Sequence, residues 1–177
     1  MRIKILLLIL FCVLASCKNT FNNETIKENL AKNSTAQHSI SAIDAYKLSQ
    51  ENQVVILDVR TPEEFKFVGH PKDAINVPLM LFEHQYDVDN QCSKMILNKN
   101  FVAIVKKQFS KDTPFAILCR SGTRAQKARK LLIENNFSNV KTIEHGFQGD
   151  INSDPKSKFY GKRNVNGWIN NDLPWTY

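Results

Sequence analysis

The chain of 177 residues lacks any histidine or cysteine grouping at metal-ligand spacing. His38, His70, His84 and His145 stand apart from one another and from Cys12, Cys17, Cys92 and Cys119, so no metal and no cofactor is expected. It has no internal repeat. It also has no segment in which lysines and arginines interleave with aromatics, so the formal charge of +7 does not read as a nucleic-acid footprint. Small anions and a nearby membrane surface suit that charge better. The apolar run at residues 5–14 is too short to span a bilayer.

That run is preceded by Arg2 and Lys4, which gives it the charge and length of a signal peptide. It closes in Leu-Ala-Ser-Cys at residues 14–17, which resembles the lipobox of bacterial lipoproteins. The resemblance implies that residues 1–16 are removed and that Cys17 becomes a lipidated N-terminus facing the periplasm or the cell surface. Removing Arg2 and Lys4 leaves 22 basic against 17 acidic side chains, or +5. Residues 17–37 are an Asn, Lys, Thr and Glu mixture with little to bury, so they read as a flexible tether to a single domain at 38–177.

The domain is organised around FAILCRSGTRAQKARKLL, residues 115–132. Residues 115–119 form a short apolar run of the kind a strand buried on both faces has. From Arg124 onward, Ala125, Ala128, Leu131 and Leu132 recur at helical spacing, with Lys127, Arg129 and Lys130 mostly on the other side. Strand meets helix through one tight loop, CRSGTR. Gly122 permits positive φ there, and Ser121 and Thr123 are small enough to leave amide N–H groups pointing inward. The helix N-terminus and the guanidinium groups of Arg120 and Arg124 favour a Cys119 thiolate and can also hold an anion.

This loop resembles the active-site loop of rhodanese-like sulfurtransferases, in which the cysteine carries a sulfane sulfur as a persulfide. LDVRTPEEFKFVGH at 57–70, followed by AINVPL at 74–79, resembles the first characteristic stretch of the same family. Pro71, Asp73 and the pair His145-Gly146 depart from its usual residues at turns. The resemblance spans about residues 39–143. It implies Cys119 as the sulfur carrier, the residues Arg120, Ser121, Gly122, Thr123 and Arg124 as substrate-binding, and Asp58 with Arg60 as supporting groups.

Short strands are expected at Ile40, 54–57, 74–76, 115–118 and 140–143, with helices between. That pattern describes an α/β, doubly wound fold with about five mainly parallel strands and helices on both faces, as the resemblance also implies. Asp58 and Cys119 then lie at the same carboxyl edge of the sheet, where ligands bind. A capping box at Ser41 and Asp44 starts a helix over 42–49, Pro62 starts another to Val68, and 99–110 fits an amphipathic helix. Arg60 is expected to pair with Asp58 or Glu64. His70 reads as a turn residue. Cys92 is expected in a polar loop, with a Cys92–Cys119 redox pair open. The tail from 146 is longer than the family's usual closure before Trp168 and Leu173-Pro174. Its Lys156, Lys158, Lys162 and Arg163 read either as a basic rim at the active-site edge or as a solvated loop.

The resulting expectation is a lipid-anchored, extracytoplasmic sulfurtransferase that moves a sulfane sulfur from thiosulfate or a related donor to cyanide or a thiol. Two alternatives remain at this point. One is a binding or redox-sensing domain. The other is a cysteine-dependent phosphatase or arsenate reductase, whose loop has five residues between Cys and Arg where this one has four.

Overall fold

The structure is a computed structural model, described for residues 38–89 and 91–177. The signal-peptide, Cys17 and tether expectations lie outside the described residues. In chain order the elements are β1 (Ser39–Ile40), α1 (Ala42–Gln50), β2 (Val55–Asp58), α2 (Pro62–Val68), β3 (His70–Pro71), β4 (Ile75–Asn76), β5 (Met80–Asp87) and β6 (Cys92–Leu97). They continue with α3 (Phe101–Gln108), β7 (Phe115–Leu118), α4 (Thr123–Glu134), β8 (Val140–Ile143), β9 (Asp150–Ile151), β10 (Arg163–Val165), a 3-10 turn at Ile169–Asn171, and β11 (Trp175–Thr176).

The central sheet has five strands in the order β1-β8-β7-β2-β4, every pair parallel. The two middle strands are the apolar runs, and all four residues of β7 are buried. Their alternation divides the core. Phe115, Ile117, Leu57 and Cys119 pack with Phe101, Val105, Ala125, Ala128 and Leu132 from α3 and α4. Ala116, Leu118, Ile56 and Ile143 pack on the other face with Ala42 and Ala45 from α1, and with Phe147 and Trp168. The fold is therefore the doubly wound α/β layer arrangement, with helices on both faces.

Local chemistry sets the helix starts. The Ser41 hydroxyl caps α1 by accepting from the amide of Asp44 at 3.0 Å. Thr61 caps α2 in a reciprocal capping box, with Glu64 accepting from the Thr61 amide at 3.1 Å. Helix α3 is shorter than its amphipathic pattern. Asn98 turns the chain into it by accepting from the Asn100 amide at 3.0 Å, and Phe109 goes extended to stack edge-on against Phe115.

One expectation is corrected. Cys92 does not sit in a loop: it begins β6, which pairs antiparallel with β5 from Met80↔Leu97 to Asp87↔Cys92. This hairpin stands apart from the central sheet, and Met95, Ile96 and Leu97 are each more than a third exposed. Met80 packs partly against the core, but no described residue of either strand is fully buried, so the strands lack the period-2 signature by which a strand is read.

The tail is tied down rather than loose. Strands β9 and β10 form a hairpin, β11 pairs antiparallel with β3, and Trp168 is 1% exposed with its indole N–H donating to the Pro174 carbonyl at 2.9 Å. Trp168 stacks edge-on with Tyr46 of α1. Truncating it removes the largest side chain of that core cluster, so Trp168→Ala is expected to cost about 3–5 kcal/mol. Urea unfolding of the two proteins measures this directly; a loss under about 1 kcal/mol would mean that the tail is not part of the core.

Candidate active site

The pairing Asp58↔Leu118 in adjacent parallel strands brings the ends of β2 and β7 level at one edge of the sheet. Cys119 leaves β7 there, 1% exposed. The chain turns through Gly122, whose φ of 109° is open to glycine and strained for other residues, and enters α4 at Thr123. The Gly122 amide donates to Cys119 Sγ at 3.1 Å. No side chain caps α4. Its first-turn amides therefore keep their donor capacity, together with the positive end of the helix dipole. Ser121 is half-buried in this loop, and Thr123 is exposed as the first residue of the helix.

The arginines divide their labour in a way the sequence did not specify. Arg60 is buried and pairs with Asp58: Nη2 lies 2.5 Å from Oδ2, and Nε donates to both carboxylate oxygens. Nη2 also donates to the Gly69 carbonyl at 2.8 Å, and the guanidinium lies 4.2 Å above the Phe147 ring. Asn76 donates to the carbonyls of Asp58 and Arg60, 3.0 Å each. Asp58 and Arg60 thus brace the site edge without facing solvent.

Arg124 makes a bidentate pair with Glu64, at 2.5 and 2.6 Å, and each side chain is 14% exposed. Burial works against the Glu64 charge, yet the hydrogen bonds and charge of Arg124, with the Thr61 amide, hold its carboxyl below the ordinary carboxylate value. Burial likewise opposes the charge of Arg124; Glu64, then Cys119 and Asp58, more than offset this and hold it above its usual value. Arg124 thus lies within electrostatic reach of Cys119 while both its terminal nitrogens are occupied by Glu64. Arg120 is the exposed cation of the loop, and its side chain makes no ion pair or hydrogen bond among the described residues.

Behind the loop runs a turn at 145–149. The Phe147 amide donates to the Cys119 carbonyl at 2.8 Å and the Gln148 amide to the Arg120 carbonyl at 3.0 Å. Gly146 has φ of 63°, and a Cβ there would collide with the Cys119 carbonyl oxygen. His145 also has positive φ and pairs with Asp150 at 2.6 Å. His70, expected at a turn, instead opens β3 and packs, stacked on Phe65 with its Nδ1 3.0 Å from the Phe65 carbonyl. Cys119 is a free thiol. Of the basic tail residues, Lys162 and Arg163 share an open cavity with Arg120, whereas Lys156 and Lys158 are exposed elsewhere.

Sequence comparison matches residues 41–152 to the rhodanese-like domain. The chain is 41% identical over 91 residues to the senescence-associated protein DIN1 of Raphanus sativus, a match spanning 51% of this chain and 45% of that protein. It is 35% identical over 118 residues to the chloroplastic thiosulfate sulfurtransferase 16 of Arabidopsis thaliana, covering 67% of this chain and 90% of the relative. Among solved structures it resembles Rv0390 from M. tuberculosis, with a TM-score of 0.60 at 25% identity over 78% of this chain and 96% of that one.

Glu64 is both the capping-box residue of α2 and the partner of Arg124, so its loss releases two contacts. Its lowered value means that its stabilisation is complete above the ordinary value of 4.5 and fades as pH falls through the depressed one. Glu64→Gln is expected to cost about 2 kcal/mol at pH 7, and progressively less as pH falls through the depressed value and the wild-type carboxyl is protonated too. Urea unfolding over a series of pH values from neutral downward tests this; a penalty that stays the same at every pH would place the effect in packing.

Proposed function

The chain belongs to the rhodanese-like domain family, and from that premise we propose that it is a sulfurtransferase acting through a Cys119 persulfide. The observation that carries this reading is the Gly122 amide donating to Cys119 Sγ at the uncapped start of α4. A thiolate and the persulfide anion that replaces it need the same thing from their surroundings, namely fixed amide donors and nearby positive charge.

In the proposed cycle the Cys119 thiolate attacks the outer sulfur of thiosulfate. A sulfur–sulfur bond to Cys119 forms, the bond inside the donor breaks, and sulfite leaves with the electron pair. A nucleophile such as cyanide or a thiolate then takes the outer sulfur and returns Cys119 as thiolate. Arg120, exposed and unpaired, meets the donor's sulfonate end. Arg124, held by Glu64, contributes charge and position. No step needs an oxidant or a cofactor. A phosphatase reading asks more of Arg124: its two terminal nitrogens would have to leave Glu64 to clamp a phosphoryl group.

The activity is further proposed to be extracytoplasmic and membrane-anchored through a lipid on Cys17, on the strength of the Leu-Ala-Ser-Cys close to the apolar run. Among the described residues, no helix is long and apolar enough to cross a membrane.

Two experiments test these readings. Intact mass after incubation with thiosulfate is expected to rise by one sulfur atom, to return on addition of cyanide, and to stay unchanged in Cys119→Ser; no gain on a reduced Cys119 would refute the persulfide route. In a bacterial host the full chain is expected in the membrane fraction and Cys17→Ser outside it; equal partitioning of the two would remove the lipid anchor.

A further inference from the structure

The β9–β10 hairpin has no part in the cycle just described, yet its loop combines aromatic and basic residues in KSKFYGKR at 156–163. Phe159 and Tyr160 are 40% and 61% exposed, and Ile151 and Val165 on the two strands are exposed as well. Large apolar side chains gathered in one hairpin that covers nothing in its own fold mark a contact surface. The stretch also holds four cations. Among the described residues, no carboxylate forms an ion pair with any of them. Asp154, the one acid between the two strands, is turned to the backbone and accepts from the Lys156 amide at 2.9 Å. Lys158 lies over the Phe159 ring, its Nζ 4.9 Å from the centroid.

The loop is built rather than slack. The Asn152 amide donates to the Lys162 carbonyl at 2.8 Å, its carbonyl accepts from the Gly161 amide at 2.9 Å, and its side chain donates to the Ser157 hydroxyl at 3.2 Å. The Tyr160 and Lys162 amides close tighter turns onto the carbonyls of Ser157 and Phe159, at 3.0 and 2.9 Å. Backbone groups are thus satisfied inside the loop while its aromatic rings stay in solvent. A fixed backbone lowers the ordering cost of any contact those rings make.

We propose that this hairpin is a membrane-docking element whose partner is the headgroup surface of an anionic bilayer. Phe159 and Tyr160 enter the interfacial layer, and the cations meet the lipid phosphates. The membrane-anchor reading supplies the bilayer; the hairpin's affinity for it is a separate property. Size decides against a protein partner, since a stable protein interface takes about 20–30 residues a side and the hairpin spans only residues 150–165. Sign decides against a second copy, because a two-fold contact sets the same four cations against each other. A bilayer accepts a small wedge of amphipathic rings and basic side chains, whose apolar bodies and charged heads separate at its surface. Lys162 and Arg163 also line one open cavity with Arg120. Docking therefore keeps the residue next to Cys119 close to the headgroup layer.

The test uses the chain from residue 17 with Cys17→Ser, so that neither the apolar run nor a lipid contributes. Every described element lies beyond that point and is kept. The protein is expected to sediment with vesicles of equal parts phosphatidylcholine and phosphatidylglycerol, and to stay in solution with phosphatidylcholine alone. Phe159→Ser with Tyr160→Ser is expected to weaken binding about tenfold, and Lys156→Gln with Lys158→Gln by at least about as much. All four side chains are exposed and outside both core clusters, so the urea midpoints should not move. In Tyr160→Trp, the fluorescence added by the new indole is expected to shift to the blue on anionic vesicles.

No binding to the anionic vesicles, equal binding by wild type and the aromatic double variant, or no blue shift would each overturn the proposal. Loss in the lysine variant alone would reduce the hairpin to a charged surface and overturn it too. So would capture by soluble polyglutamate with none by vesicles, which is the behaviour of a site for an acidic protein. These readouts need neither a lipid on Cys17 nor sulfur on Cys119, so failure of either earlier reading leaves the result intact.

Discussion

The site depends on two backbone hydrogen bonds that hold the Cys119 loop from behind, from the Phe147 amide to the Cys119 carbonyl at 2.8 Å and from the Gln148 amide to the Arg120 carbonyl at 3.0 Å. A strand that ends in a turn leaves carbonyls without ladder partners, and each one buried unpaired costs about 1–3 kcal/mol. The turn at 145–149 supplies the missing donors. It comes this close because Gly146 has no Cβ where the Cys119 carbonyl lies, and because His145 and Gly146 both take positive φ. The turn is fixed in its own right, with the Trp168 and Ile169 amides donating to the carbonyls of Gly146 and Phe147. A continuous set of backbone hydrogen bonds therefore runs from the Trp168 core to the Cys119 carbonyl.

Charge near the loop is spent on position before it is spent on substrate. A buried ion pair gains little net stability, since desolvation offsets most of the attraction. Asp58–Arg60 instead fixes a flat guanidinium against Phe147, the residue whose amide holds Cys119. Arg60 Nη1 is buried without a hydrogen-bond partner, and the face of that ring is its compensation. Arg124 is largely neutralised by Glu64, so the amides at the start of α4 and the unpaired Arg120 carry more of the attraction for an incoming anion.

Much of this was legible from local pattern. The five strands, the α2 boundaries, the positive φ at Gly122 and the common edge of Asp58 and Cys119 follow from apolar runs, proline and glycine, whose signals act within a few residues. What was not legible is pairing across long separations. Glu64 stands out at sequence level only as an acidic residue early in a helix, and nothing local says that its partner is sixty positions away rather than Arg60. The β5–β6 hairpin was missed for a different reason: none of its described residues is fully buried, so nothing imposes a clean alternation. The tail hairpin was missed because β9 and β10 are two and three residues long and their apolar members, Ile151 and Val165, stay exposed, so no buried face imposes a pattern.

The near-complete burial of Cys119 favours sulfur transfer over direct thiol chemistry. A thiol 1% exposed is poorly placed to meet a bulky second substrate. In the proposed cycle it does not have to. Once loaded, the reacting atom is the outer sulfur, which stands about 2 Å beyond Sγ and so nearer the mouth of the loop. Sγ itself stays against the Gly122 amide, where it is stabilised first as nucleophile and later as leaving group. A small donor reaches the buried atom, and a larger acceptor needs only the extended one. The two half-reactions thus ask for sites of different size.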